Sequence, residues 1–300
     1  MRLSDYLRLL TLAALWGASF LFMRIIAPEF GALNSAFLRV LFGALGLAAV
    51  LACLPSPVSF AGKFRPALLL GVINSGVPFF MYCLAAKWVP AGYSAIFNAT
   101  TPLMGAIIGC GLFGERLTPR KWLGVLLGLG GIVVIVLPGG GHIPANILAG
   151  AVACLTATSC YALAGFLTRR WISDRGGLDP NILAFGSQLG ATLFLLPFFG
   201  GSLVSGPAIP WWQGEIWGAV IALGLLCTAL AYRLYFRLIA DIGPLRTLTV
   251  TFLIPPFALL WGYLVLGETL NSRFIGGATV VGIAVWLIVS GGQLARTRPG

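Results

Sequence analysis

An internal repeat constrains this chain more than any other feature. From Gly71 onward the sequence aligns with itself at a constant offset of 153 residues, without a gap. The recurring positions are Gly71, Tyr82, Pro102, Gly114, Glu115, Leu117 and Gly124, which return as Gly224, Tyr235, Pro255, Gly267, Glu268, Leu270 and Gly277. The repeat therefore predicts a fold made from two copies of one unit.

Each copy consists of long apolar segments. Hydrophobic residues make up 59% of the 300 residues and charged residues only 9%, whereas soluble domains carry about 25% charged residues. A helix needs about 20 apolar residues to cross a bilayer, and the alternation typical of barrel strands is absent. We predict an all-α integral membrane protein with ten transmembrane helices, at 9–26, 32–54, 67–86, 91–113, 122–137, 147–167, 182–199, 216–238, 245–266 and 274–289.

The segments divide evenly between the copies. We expect a first repeat at 1–138, a loop at 139–146 and a second repeat at 147–300. The glycine-rich run from Pro138 to His142 lacks the lysine and the strand of a phosphate-binding loop, so we interpret it as the joint between the halves. Two halves with five spans each must lie in the bilayer with opposite orientations, an arrangement that recurs in secondary transporters.

The basic residues predict the orientation. Of the 19 Lys and Arg residues, all but Arg24, Arg39, Lys87 and Arg273 fall on the side that holds the N-terminus. This asymmetry follows the positive-inside rule and places both termini in the cytoplasm. The net charge of +11 therefore reports topology and does not indicate a nucleic-acid partner. No cleavage site follows the first span, so we expect it to be retained.

Several functions lack their residues here. No G-x-x-x-x-G-K-[ST] motif is present for ATP, and neither paired aspartates nor histidine-rich loops suggest an enzyme. All six cysteines fall in apolar segments without a CxxC pair, which favours packing over a metal site. We expect no catalytic residue, cofactor or metal, and only the lipid bilayer and a small-molecule substrate as partners. A membrane enzyme and a structural membrane protein stay open as alternatives.

Short motifs carry a family resemblance. They are Leu112 to Leu117 followed by Gly124, the copy Leu266 to Leu270 followed by Gly277, and Trp16, Gly17 and Ser19 in the first span. The chain resembles the EamA domain of the drug/metabolite transporter superfamily, over essentially its whole length. It is similar in particular to bacterial inner-membrane exporters of aromatic amino acids and metabolites of the YddG type. The resemblance implies transport of amino acids, other metabolites or drugs.

Helical spacing predicts a substrate site on two repeat-related faces. In the third span, hydroxyl and aromatic side chains recur at i, i+4 and i+7, and the offset of 153 places similar ones on the eighth span. These residues are Ser75, Phe79 and Tyr82, with Thr228, Tyr232 and Tyr235. Ordinary packing is the alternative. Polar or aromatic residues of other spans complete the predicted cavity: Trp16, Ser19, Asn98, Thr101, Tyr161, Gln188 and Thr251.

Prolines in the spans predict kinks or gating points. A proline leaves a carbonyl without its donor, and such carbonyls could accept hydrogen bonds from a substrate ammonium. The alternative is that the Thr101 or Thr251 hydroxyl satisfies them. The prolines are Pro78, Pro102, Pro255 and Pro256.

Charged residues fall near the span ends. We expect Glu115 and Glu268 to form ion pairs or caps beside Arg116, Arg120 and Arg273. Arg24 and Arg39 could bind a substrate carboxylate, but snorkelling to headgroups is at least as good an explanation. Because no carboxylate is left for the midplane, we expect transport driven by the substrate gradient.

Together these features predict an inner-membrane exporter that works by alternating access. Aromatic walls and a few hydroxyls suit an aromatic or other apolar amino acid, and a drug or another metabolite is the alternative. A sugar nucleotide would require several inward basic residues. Small residues at four-residue spacing predict helix packing within a monomer and leave a dimer open; they are Gly105, Gly109, Gly124, Gly128, Gly186 and Gly190.

Overall fold

The computed structural model describes residues 2–53, 58–136, 145–206, 208–243, 247, 249–269 and 271–290. All regular secondary structure among these residues is helical, and they contain no strand. We number the main helices α1 Leu3–Phe30, α2 Ala32–Ala52, α3 Phe64–Ala85, α4 Ala91–Phe113, α5 Pro119–Val136, α6 Ala145–Trp171, α7 Pro180–Ser205, α8 Gly214–Ile242, α9 Val250–Leu266 and α10 Ser272–Ser290. The predicted helical class is thus confirmed.

The helix lengths match a bilayer. In the described part of the chain, nine helices are long and apolar enough to cross a membrane, and α9, with 17 residues, is a shorter apolar helix. Each coincides with one predicted apolar segment. The glycine-rich run at 138–142 and most of the predicted joint at 139–146 lie outside the described residues.

Glycines bring α3 and α7 into backbone contact. A Cβ atom added at Gly71 would lie 2.0 Å from the carbonyl oxygen of Ser187, and one added at Gly190 would lie 2.2 Å from that of Leu68. No side chain fits between such surfaces. Close approach of this kind supplies the van der Waals contact that holds helices together in lipid, where apolar surface gains little from burial.

α5 and α10 cross at a second pair of glycines. A Cβ atom added at Gly131 would lie 3.0 Å from the Gly277 carbonyl oxygen, and one added at Gly277 would lie 2.9 Å from that of Gly131. One turn before Gly128, an added Cβ at Gly124 would meet the Ala284 carbonyl oxygen at 2.9 Å. The Gly124-xxx-Gly128 motif therefore packs within the chain.

Three helices depart from regular α-geometry next to the bundle centre. π-Helical turns occur at Val72–Gly76 in α3 and at Ala222–Leu230 in α8, and the repeat offset aligns the first with the interior of the second. In α8, Thr228 Oγ1 donates to the Leu223 carbonyl five residues earlier, at 3.0 Å. α4 is interrupted at Thr100. π-Bulges occur frequently at functional sites.

Candidate functional site

A cavity of about 430 Å³ lies among the helices. Eleven of the thirteen predicted cavity residues line it, namely Trp16, Ser19, Phe79, Tyr82, Asn98, Thr101, Tyr161, Thr228, Tyr232, Tyr235 and Thr251. Pro102 lines it as well. Residues of both predicted faces, on α3 and on α8, therefore line one cavity. Helical periodicity and the repeat offset were the only basis for that prediction.

Aromatic rings form the walls of this cavity. The Tyr82 ring lies 6.1 Å from that of Tyr161 in a near-parallel arrangement and 5.3 Å from that of Phe20, edge to face. On the other wall the Trp16 and Tyr235 rings lie 5.3 Å apart. Offset and edge-to-face pairs are favourable ring geometries, so the walls hold one another in place.

Polar atoms of α4 face the cavity beside the helix break. Asn98 Oδ1 accepts a hydrogen bond from the Tyr82 hydroxyl at 3.0 Å. The Asn98 carbonyl, which Pro102 deprives of its usual donor, accepts one from Thr101 Oγ1 at 2.7 Å. Of the two possibilities for this carbonyl, the structure therefore has the intrahelical one, and we no longer expect it to bind a substrate ammonium.

The other prolines lie at or inside helices without lining the cavity. Pro78 is the second residue of the α-helical segment Val77–Ala85, which directly follows the π-helical turns in α3. Pro255 and Pro256 lie within α9, which remains a helix through them.

Two predicted residues lie behind the cavity wall. Ser75 and Gln188 are fully buried, and Gln188 Nε2 donates to Ser75 Oγ at 2.9 Å. The reason for the difference is that α7 packs on α3, so Gln188 turns toward Ser75 and does not line the cavity itself.

Arg39, for which the sequence left two roles open, lies at the cavity. Arg39 lines the cavity and is only 5% exposed, so its side chain does not extend to the headgroups. Its Nη1 donates to the Met23 sulfur at 3.3 Å, and its Cζ lies 3.6 Å from the centre of the Phe79 ring. Among the described residues that line the cavity, no other side chain is charged. The position of Arg39 in the second span did not show whether its side chain points into the bundle or toward the lipid.

The two repeated glutamates differ from their predicted pairing. Glu268 accepts from the Ala91 N–H at 3.0 Å, at the start of α4, and lies 3.5 Å from Arg24 Nε. Its predicted neighbour Arg273 is not the partner. Among the described residues, no basic group lies within 4.0 Å of Glu115, so the expected pairing with Arg116 or Arg120 is also absent.

Burial acts on the loop carboxyl of Glu268. Removal from water raises its pKa above the ordinary value, and the Ala91 N–H and Arg24 oppose this shift without cancelling it. Desolvation disfavours a charged carboxylate, whereas a donor or a nearby cation favours it. Glu268 therefore links α1, α4 and the loop after α9 through a group whose charge is sensitive to pH.

Aromatic side chains fill the end of the bundle where α1 terminates. Phe30 is fully buried and its ring lies 5.1 Å from that of Trp211, while Phe37 and Phe199 stack at 4.1 Å. The ring centres of Trp217 and Trp211 lie 5.9 Å apart. We call Phe30, Phe37, Phe199, Trp211 and Trp217 the aromatic plug. At the other end the cavity reaches the start of α9 and the end of α10, where Thr251, Phe252 and Val289 line it.

Comparison with known proteins assigns the chain to a family. The EamA-like transporter family matches residues 4–137 and 148–290. An uncharacterized inner membrane transporter of Escherichia coli K12, YedA, is 27% identical over 97% of this chain and 92% of its own length. The threonine/homoserine exporter RhtA of the same strain is 30% identical over 88% of this chain and 83% of its own length.

A solved crystal structure has the same fold. It superposes with a TM-score of 0.60 at 21% sequence identity and covers 96% of each chain. The apolar helices, together with these bacterial relatives, make the chain a multi-pass protein of the inner membrane. With both halves matched, the chain belongs to the EamA-like transporter family of the drug/metabolite transporter superfamily.

Proposed function

We propose that this protein exports apolar amino acids, aromatic ones in particular, through the aromatic-walled cavity. The cavity carries the proposal because its volume of about 430 Å³ falls within the range of small-molecule sites, about 300–1,000 Å³. Rings of Tyr82, Tyr161 and Tyr235 offer apolar surface, and Asn98 and Thr101 offer polar atoms beside it. The similarity to RhtA, a threonine/homoserine exporter, supports an amino acid as the substrate.

The packing supports two inverted repeats that rock around this cavity. The contact of α1 with α9 corresponds to that of α6 with α4 in the other repeat. In the same way, the contact of α3 with α7 corresponds to that of α8 with α2. Each pair of contacts joins helices that correspond in chain order between the two repeats, and α5 and α10 pack directly on each other. Inverted repeats with a central site are the usual basis of alternating access.

The two ends of the bundle support a cytoplasm-facing conformation. We infer that the end with the aromatic plug faces away from the cytoplasm and is closed here. The opposite end carries most of the basic residues, and there Arg8 bonds Asp241 at 2.7 Å. With the positive-rich end inside, a substrate would enter from the cytoplasm and leave after the plug opens.

We further propose that the substrate gradient is sufficient to drive transport. None of the eight Asp and Glu residues lines the cavity. Those that the helices hold, such as Asp5, Glu215 and Asp241, lie in first or last turns. The cavity itself thus offers no carboxyl group that could exchange a proton for substrate.

Flux through purified protein tests the proposal. In proteoliposomes without an ion gradient or a voltage, we expect saturable uptake of labelled phenylalanine and methionine, with threonine as a smaller comparison substrate. Tyr82→Ala should abolish the flux, and Tyr263→Ala should not, because Tyr263 is exposed on α9. Flux of a drug or another metabolite in place of every amino acid would favour the alternative exporter class.

A further inference from the structure

Arg39 is a buried cation without an anionic partner. Among the described residues, no carboxylate oxygen lies within 4.0 Å of its guanidinium, whereas Arg8, Arg24 and Arg237 each have such a partner. Its Nε atom is buried and has no hydrogen-bond partner in the described part of the chain. Burial of a cation is costly unless the cation is paired and hydrogen-bonded. The described residues supply no anion for Arg39, so an anion from outside the protein could pair with it.

Its two contacts orient the guanidinium without neutralising it. The Met23 sulfur is a weak acceptor, and the Phe79 ring attracts the cation through its quadrupole. Both contacts, at 3.3 and 3.6 Å, fix the side chain from α1 and α3 while α2 carries it. Arg39 therefore stands at the cavity surface with a defined position and unused donors.

We propose that Arg39 binds the carboxylate of the transported substrate through a forked, two-point contact. Arginine presents parallel N–H groups that match the two oxygens of a carboxylate. Tyr82, Tyr161 and Phe79, which also line the cavity, supply apolar surface for the rest of the molecule. The site thus selects an organic carboxylate with an apolar side chain and rejects the corresponding amide. This inference rests on the proposed transport through the cavity.

Ligand pairs that differ only in the carboxylate test this inference. Quenching of tryptophan fluorescence measures binding to the purified full-length protein, because Trp16 lines the cavity. One pair is L-phenylalanine and L-phenylalaninamide, and the other is hydrocinnamate and hydrocinnamamide, which lack the amino group. We expect the wild-type protein to prefer each acid over its amide by about 10- to 100-fold, the worth of hydrogen bonds to charged groups.

Substitutions assign that preference to Arg39. Arg39→Gln should bind acid and amide equally well, and the control Arg65→Gln, which removes an exposed charge at the start of α3, should keep the wild-type ratio. Thermal unfolding verifies that each variant is folded. If Arg39→Gln does not fold, Arg39→Lys is used in its place. Arg39→Lys should lose most of the preference for acid over amide, because an ammonium cannot make the forked contact.

The outcomes separate this inference from the proposed function. Equal binding of acid and amide by the wild type, no binding of either acid, or an unchanged ratio in the Arg39 variant would each overturn the carboxylate site. Phenylalanine flux together with such a result would leave the exporter proposal standing. An Arg39-dependent preference for hydrocinnamate without any binding of phenylalanine would support the carboxylate site and contradict amino-acid export.

Discussion

The Tyr82 hydroxyl donates a 3.0 Å hydrogen bond to Asn98 Oδ1 and so joins α3 to α4 just before the interruption at Thr100. Tyr82 is 1% exposed and its ring also forms part of the cavity wall. One side chain therefore shapes the candidate substrate surface and holds the broken helix beside it.

Tyr82→Phe separates these two contributions. The variant keeps the ring and loses the hydrogen bond, which is worth about 0.5–1.5 kcal/mol. We expect phenylalanine affinity to fall by about two- to tenfold while flux persists. Equilibrium binding and flux of the same preparations measure this, with Tyr263→Phe as the exposed control. Loss of all flux in Tyr82→Phe would mean that the hydroxyl, and not the ring, is the essential group.

Gly71→Val tests the close contact of α3 with α7. The new Cβ would lie 2.0 Å from the Ser187 carbonyl oxygen, so the helices must separate. Overpacking of this kind destabilises by about 1–3 kcal/mol or more, and we expect a clear fall in Tm. Gly218→Val is the matched control, since nothing lies within 4 Å of a Cβ there. Equal Tm values for the two variants would contradict the described helix contact.

The buried carboxyl of Glu268 should make the folded protein less stable as pH rises. Burial raises its pKa in the folded protein, so the folded state favours the protonated carboxyl. Its contribution to stability is complete below the unfolded pKa, about 4.3, and is lost as pH rises through the folded pKa. Relative to Glu268→Gln, wild-type Tm should therefore decline as pH rises from acid to neutral.

Thermal unfolding over that range, in detergent, measures the difference. Glu215→Gln removes an exposed glutamate from the first turn of α8 and should not reproduce the trend. A wild-type advantage over Glu268→Gln that grows with pH would show that the Arg24 ion pair dominates over burial.

Labelling of introduced cysteines tests which end of the cavity is open. In a protein whose native cysteines are replaced, Thr251→Cys should react with an impermeant maleimide from the cytoplasmic side, because Thr251 lines the cavity toward the end that we propose to be open. Phe37→Cys, within the aromatic plug, should react much more slowly from either side. Fast labelling of Thr251→Cys from the outer side alone would reverse the proposed orientation.

Sequence reasoning located the helices because apolar length is a strong signal, but it placed their ends less well. α1 begins at Leu3, six residues before the predicted start at Leu9, and extends to Phe30. The hydrogen-bonded helix continues through residues such as Arg8, which a hydropathy pattern assigns to the flank. The π-helical turns in α3 and α8 also escaped prediction, since they differ from α-helix in hydrogen bonding and not in composition.

Some cavity residues could be predicted from the sequence, and others could not. Those on one helical face, such as Phe79 and Tyr82, follow from spacing, and the repeat offset extends the prediction to Tyr232 and Tyr235. Spacing placed Gln188 in the cavity wrongly and left the direction of Arg39 open, because the direction of a side chain depends on which neighbour each helix meets. Likewise, the Glu268 contacts with Arg24 and Ala91 join parts of the chain 244 and 177 residues apart, beyond the reach of local patterns.

Counterflow tests the central claim most directly. Liposomes that hold the purified protein are loaded with unlabelled phenylalanine and placed in buffer with a trace of labelled phenylalanine, without any ion gradient. An alternating-access carrier predicts transient accumulation of label above its equilibrium level, which Tyr82→Ala abolishes and Tyr263→Ala preserves. Simple equilibration of label in wild-type liposomes, no faster than in protein-free ones, for phenylalanine and for every other amino acid tried, would contradict amino-acid transport through this cavity.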